Sequence, residues 1–388
     1  MTRALERRVK SSLNSIKNND LQLNLNHKIF NQSDRFKDII SYHDYDKKFD
    51  SISNTNYDQQ ILDLYKLDMK DIMNENKNIN KFINKSFYGK YLISDFISSR
   101  IIRNIINTLF IKTTYKMKNR TVIIFSNKEL DDLLIKKLDS IFNFFDILTG
   151  KENYYYLEVF LSSKKKYFNE NLDSIDADNI NSGATLPGKY IYIWRCEELL
   201  KVLIHELIHY LKIDMYHYQE KFKILYKDIN LNALMVNPNE AYTELLALFL
   251  MSIWKFYYTD TQYTLKEFVS KKLTIELGWS YHQIAKILKY FKCYSTYDEL
   301  FSNKCEFKQN TNVLSYFILK TYFLQNINII LSKFDLNNLY MTNEISDFIL
   351  KNTNLHDDKF SQNINNLIIA DLDKSVYEAH SSRMTCLN

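Results

Sequence analysis

Chain breakers are nearly absent from this sequence: 388 residues hold five glycines and two prolines. Glycine supplies the positive φ of tight turns, and proline interrupts helices. A chain so poor in both is expected to run in long helices with few tight hairpins. The exceptions are concentrated. Gly183, Pro187 and Gly188 all fall within NSGATLPGK, 181–189. Such a cluster has a backbone reason, either positive φ or the close approach of another chain. A plain loop between strands explains it equally well.

Residues 1–60 are polar, Asn-rich and weakly periodic, so a frayed extension is expected there. Residues 91–113 carry apolar groups at helical spacing. RTVIIFS, 120–126, reads as a strand. Residues 128–148 read as an amphipathic helix that Gly150 ends. YYYLEVFLS, 154–162, and KYIYIW, 189–194, read as two more strands. A helix follows over 196–212. After Asn239 the periodicity is helical over 240–258, 264–276, 279–293, 312–331 and 343–351. The class expected is α+β: a small mixed sheet, then a mostly helical C-terminal part. The expected units are an extension over 1–60, a strand-bearing subdomain over 61–215 and a helical subdomain over 216–388.

The formal charge of +5 is spread among many acids and implies no nucleic-acid partner. The basic start, MTRALERRVK, is the one feature that would favour such a partner; a solvated terminus explains it better. No apolar run reaches the roughly 18 residues of a membrane span, and no secretory signal is visible. The four cysteines suggest neither a disulfide framework nor a CxxC site. A soluble protein of a reducing cytoplasm is expected, not a secreted one.

Residues 196–212, CEELLKVLIHELIHYLK, are apolar on most of the helix circumference, and such a helix is buried. His205, Glu206 and His209 are set into it. Histidines four apart project from one face and can share one Zn²⁺ at about 2.0–2.1 Å. Glu206 stands beside them, within reach of a metal-bound water. Without partners, two histidines and a glutamate on a buried helix would be costly. Lys212 and Met215 stand where the metzincin pattern needs Gly and His, so that class is excluded. Asp214 and His217 lack the spacing of a third ligand and read as surface or core groups. Cys196, far along the helix from His205, is a poor fourth ligand.

Downstream, Asn239-Glu240-Ala241-Tyr242-Thr243-Glu244 opens a helix behind Pro238. Here the sequence resembles the gluzincins, the thermolysin-like zinc peptidases, whose second motif reads NExxSD or NExxTE. The resemblance implies Glu240 as third zinc ligand and Glu244 as the acid that fixes the His205 tautomer. It implies a zincin-like fold whose edge strand lines the substrate cleft, placing Asn181, Ser182 and Gly183 in substrate binding. The aminopeptidase signature GxMEN is not found. A narrower stretch looks like proteins of large DNA viruses assigned as metallopeptidases. It comprises Asn181-Ser182-Gly183, Arg195, Glu197-Glu198, Ile213-Asp214 and Glu240-Tyr242-Glu244.

What the resemblance implies is peptide hydrolysis with one Zn²⁺ and Glu206 as general base, with viral protein processing as a setting. In gluzincins a Tyr or His stabilises the oxyanion; Tyr316 is the first choice here, before Tyr322, Tyr281 and His282. The competing expectation is a zinc-containing structural or virion protein without turnover, which would close the site with four protein ligands.

Overall fold

The computed structural model describes residues 51–56, 97–109, 111–117, 119–168, 174–214, 237–291, 293, 295–302, 305–369 and 381–387, with 23, 25, 30 and 36 as single positions. The fold is α+β. Its strands are β1 (Ser51–Asn56), β2 (Ile111–Met117), β3 (Arg120–Ser126), β4 (Tyr155–Phe160), β5 (Gly183–Leu186) and β6 (Tyr190–Ile193). They form one mixed sheet in the order β1-β2-β3-β4-β6-β5. The β3–β4 and β4–β6 pairs are parallel and the outer pairs antiparallel.

Helices cover both faces of the sheet centre, and the strand side chains alternate between two apolar clusters. Helix α1 (Ser99–Thr108) lies on one face, where Ile101, Ile102 and Ile105 meet Ile123, Phe125, Phe160, Tyr192 and Trp194. On the other face, Val122, Ile124, Leu157, Val159, Ile191 and Ile193 join the main core with α2 (Asp132–Thr149) and α4 (Leu199–Tyr210). Asp131 caps α2, accepting from Leu133 N at 2.9 Å, and Gly150 ends it with a φ of 68°. The short helix α3 (Ala177–Ile180) leads into β5.

Beyond α4 the described residues are mostly helical. Helix α5 (Pro238–Tyr258) begins with Asn237 as cap and Pro238 in the first turn, and packs on α4. Helix α6 (Leu265–Tyr290) starts at a Thr264/Glu267 capping box. It runs through Gly278, so the two helices expected over 264–276 and 279–293 are one. A single buried glycine costs only about 1 kcal/mol, too little to break such a helix. The run expected over 312–331 is a π-helical segment (Leu314–Leu319), α7 (Lys320–Gln325) and α8 (Ile327–Leu331). Helices α9 (Asn343–Asn352) and α10 (Asp358–Ile369) follow.

Other expectations change as well. Of the helical run expected over 91–113, residues 91–96 lie outside the described residues, Ser99–Thr108 is helix, and Ile111–Met117 is strand β2, where Thr113 and Tyr115 are buried. Of the segment 181–189, Gly183–Leu186 enters the sheet as edge strand β5. Within the expected extension, Leu23, Leu25 and Phe36 are buried in the main core, and Ser51–Asn56 is the outermost strand. Cys293 and Cys305 are joined in a disulfide, against the expectation of a chain without one. Among the described residues no helix is long and apolar enough to cross a membrane.

The segment 381–387 threads back into the interior, with Ser381, Ser382 and Thr385 fully buried. Thr385 N donates to Glu198 Oε1 and Thr385 Oγ1 to Glu276 Oε2, each at 2.7 Å. Lys320 Nζ donates to Met384 O at 3.0 Å. Glu198, just before α4, takes a φ of 61° and is ion-paired with buried Lys166 at 2.8 Å. The Arg-x-Glu-Glu run thus anchors the start of α4. Arg195 is spent on backbone carbonyls, including Asn181 O at 3.1 Å and Lys165 O at 2.9 Å.

Candidate metal centre

Helix α4 is buried between the sheet and α5, as its apolar circumference requires. His205 and His209 share one face, and their Nε2 atoms lie 3.0 Å apart. Glu240, in the first turn of α5, brings Oε2 to 3.4 Å from His205 Nε2 and 3.6 Å from His209 Nε2. Among the described residues these three form the one group able to hold a metal ion.

The opposite ring nitrogens are occupied. His205 Nδ1 lies 2.9 Å from Glu244 Oε1, and His209 Nδ1 lies 2.6 Å from Asp214 Oδ2. Each carboxylate selects the tautomer with its proton on Nδ1, which leaves both Nε2 lone pairs facing each other and Glu240. Three electron-rich atoms converging in a buried space need positive charge near them, and a metal ion could supply it. Without a metal, protons must serve. Burial alone would depress the His209 pKa, but Glu240 and Asp214 outweigh it and hold the imidazole well above its ordinary range. Burial likewise opposes charge on His205, and Glu244 and Glu240 reverse that. Burial would raise the Glu240 carboxyl, yet the two histidines hold it well below the ordinary range.

Asp214 was expected at the surface. It is 1% exposed, and its Oδ2 accepts from Thr243 Oγ1 at 2.7 Å and Asn239 Nδ2 at 3.0 Å as well as facing His209. The way α4 ends explains this. Lys212 takes a φ of 57°, its N–H donates to His209 O, and Ile213 N donates to Ile208 O, both at 3.0 Å. This is a Schellman turn with lysine in the position glycine usually fills. It folds the chain back so that the next residue, Asp214, meets the helix's last histidine. His217, the other nearby group, lies outside the described residues.

Glu244 has a partner that the sequence reading missed. Lys201, fully buried one turn before His205, hydrogen-bonds and ion-pairs with the Glu244 carboxylate. Although burial raises the Glu244 pKa, Lys201 and His205 together push it far below the ordinary range. The spacing held the signal: positions 201, 205 and 209 share one helix face.

Glu206 points away from that face, toward β5. Thr185 Oγ1 donates to Glu206 Oε2 at 2.7 Å. A Cβ on Gly183 would stand 2.5 Å from Glu206 Oε1. Burial raises the Glu206 pKa despite both histidines nearby. The two glycines of 181–189 therefore have different reasons: Gly183 admits a close approach, and Gly188, with a φ of 69°, turns the β5–β6 hairpin. Ser182 is buried, and its carbonyl accepts from Trp194 N at 2.9 Å. Asn181 Oδ1 accepts from Thr311 Oγ1 at 3.3 Å. Of the three residues expected to bind substrate, Gly183 is the one set against a site residue.

Tyr316 lies in the π-helical segment, its ring centroid 6.4 Å from that of His205. Burial, followed by Glu240, Glu244 and Glu206, holds its phenol protonated far above the ordinary range. Interrupted helical segments of this kind recur at functional sites. The other three aromatic candidates are committed elsewhere. Tyr322 OH donates to Asn352 O at 3.0 Å, Tyr281 OH bonds Gln325, and His282 stacks on Trp279.

The chain is 29% identical over 194 residues to an uncharacterized protein of Acanthamoeba polyphaga mimivirus, covering 47% of this chain and 45% of that one. It thus spans about half the length of this distant giant-virus relative. No family profile and no solved structure matches the chain.

Proposed function

We propose that the chain is a zinc-dependent hydrolase of peptide bonds, with His205, His209 and Glu240 as metal ligands. The observation that carries the reading is the convergence of two imidazole Nε2 atoms and one carboxylate oxygen, with each Nδ1 held by its own acid. Two histidines, a carboxylate and their outer acids fit zinc chemistry with a position left for water. When bound, zinc would supply a Lewis acid for the scissile carbonyl and an acidified water.

The chain's own residues supply the rest. Glu206, buried and with a raised pKa, takes a proton from the attacking water and returns it to the leaving amine. Tyr316, kept protonated, donates a hydrogen bond to the oxygen on which charge develops. Strand β5, at the sheet edge beside α4, offers main-chain groups to an extended peptide. A zinc-holding structural protein is the second reading; it lacks support in the three-donor group found among the described residues.

Glu206→Gln tests the reading. It should keep one zinc per chain and lower peptide hydrolysis by roughly 10²–10⁴-fold. Full activity of the variant on a peptide that the wild type cleaves would end this assignment.

A further inference from the structure

We infer that Gly183 and Thr185 form a cradle on β5 that fixes the Glu206 carboxylate, making Thr185 a positioning residue for the base. The inference rests on the hydrolase reading for the word base; the contact stands by itself. Residues 183 and 185 are two apart on a strand, so they share the face turned to α4. Ala184, between them, packs into the cluster on the other side of the sheet.

The two residues divide the carboxylate. Oε2 accepts a hydrogen bond from the Thr185 hydroxyl at 2.7 Å. Oε1 lies where a Gly183 side chain would begin, and Glu206 Cδ and Cγ are each 2.9 Å from the same point. Any residue larger than glycine must therefore push the carboxylate aside. The backbone of Gly183 is ordinary, because its φ is not among the positive ones. Close approach, rather than turn geometry, is what requires glycine here.

The chemistry suits a base. A glutamate side chain has several rotatable bonds, and fixing them costs conformational entropy. Lys201 fixes Glu244 by pairing its charge. Thr185 instead fixes Glu206 with one neutral donor, which orients the carboxylate without pairing its charge. Because β5 is the outer strand, the element that would register a peptide substrate is also the one that aims Glu206.

The test uses the full zinc-loaded chain and a peptide cleaved by the wild type. Thr185→Val and Gly183→Ala should each lower kcat by roughly 10–100-fold, the scale of a small misplacement of a catalytic group. KM and zinc stoichiometry should stay unchanged, and Thr185→Ser should recover most of the lost kcat. A second arm needs no turnover. In a thermal double-mutant cycle of Thr185→Val with Glu206→Ala, the Tm losses should be non-additive. Wild-type kcat in Thr185→Val, failure of Thr185→Ser to recover activity, or strictly additive Tm losses would overturn the cradle. A wild type that cleaves no peptide while the Tm losses stay non-additive would overturn the hydrolase reading and leave the cradle standing.

Discussion

His205 and His209 sit one turn apart on α4, yet the two sides of the site are built from different materials. The inner side, around His205, is charged throughout: Glu244 faces the ring and Lys201 backs Glu244, all three buried. The outer side, around His209, uses one charge and neutral donors: Asp214 faces the ring, and Thr243 and Asn239 back Asp214. His209 is also the more exposed, at 19% of its side chain. The difference teaches that tautomer selection needs only a carboxylate at Nδ1; two carboxylates of equal burial, each with 1% of its side chain exposed, are stabilised by different partners. At Glu244 a full counter-charge offsets burial, whereas at Asp214, equally buried, a hydroxyl and an amide do so.

The comparison can be broken most severely at Glu240, which serves both sides. Glu240→Ala should abolish stoichiometric zinc binding, a larger loss than the roughly 10–100-fold expected from either outer acid. Unchanged zinc content by atomic absorption would move the third ligand elsewhere. Lys201→Met strands a buried carboxylate and should destabilise the chain by about 3–5 kcal/mol. Thr243→Val, the matching change on the outer side, removes one bond to a charged acceptor and should cost about 1.5–3 kcal/mol. Denaturant unfolding of the two variants side by side decides this, and equal losses would erase the distinction between the sides.

Acidity probes both sides together. The raised histidine pKa values mean that the metal-free chain gains stability from bound protons below the ordinary histidine range. That gain is lost as pH rises through the raised values. Zinc binding must displace those protons, so affinity should rise with pH across that window, by about tenfold per unit for each proton released. Calorimetry in buffers of different ionisation enthalpy counts the protons, and release of none would refute the raised histidine pKa values. The smallest effect concerns the turn that delivers Asp214. Lys212→Gly relieves a left-handed residue and should stabilise the fold by up to about 1 kcal/mol while leaving zinc affinity intact.

Local chemistry was legible in the sequence, and contacts between distant segments were not. The spacing of His205 and His209 on an apolar helix pointed to one face, with Glu206 beside it, and β3, β4 and β6 were readable as short runs rich in β-branched and aromatic residues. Asp214 was misread because its role depends on a left-handed Lys212, a conformation lysine seldom takes. Lys201 escaped notice because a lysine on a helix is usually solvated; its partner lies 43 residues away. The start of strand β2, 111–113, was absorbed into a helix because it follows α1 without a glycine or proline between them. The scarcity of breakers that shaped the helical half also hid boundaries elsewhere.

The buried segment 381–387 carries a consequence for the order of assembly. Thr385 N, the donor to Glu198 Oε1, lies 187 residues along the chain from its acceptor. Closing so long a loop is entropically slow, and contacts of such sequence separation form late. The helix bearing both histidines is therefore expected to form early from local turns and to be locked at its base only afterwards. During synthesis, α4 would emerge from the ribosome before the segment that secures it had been made.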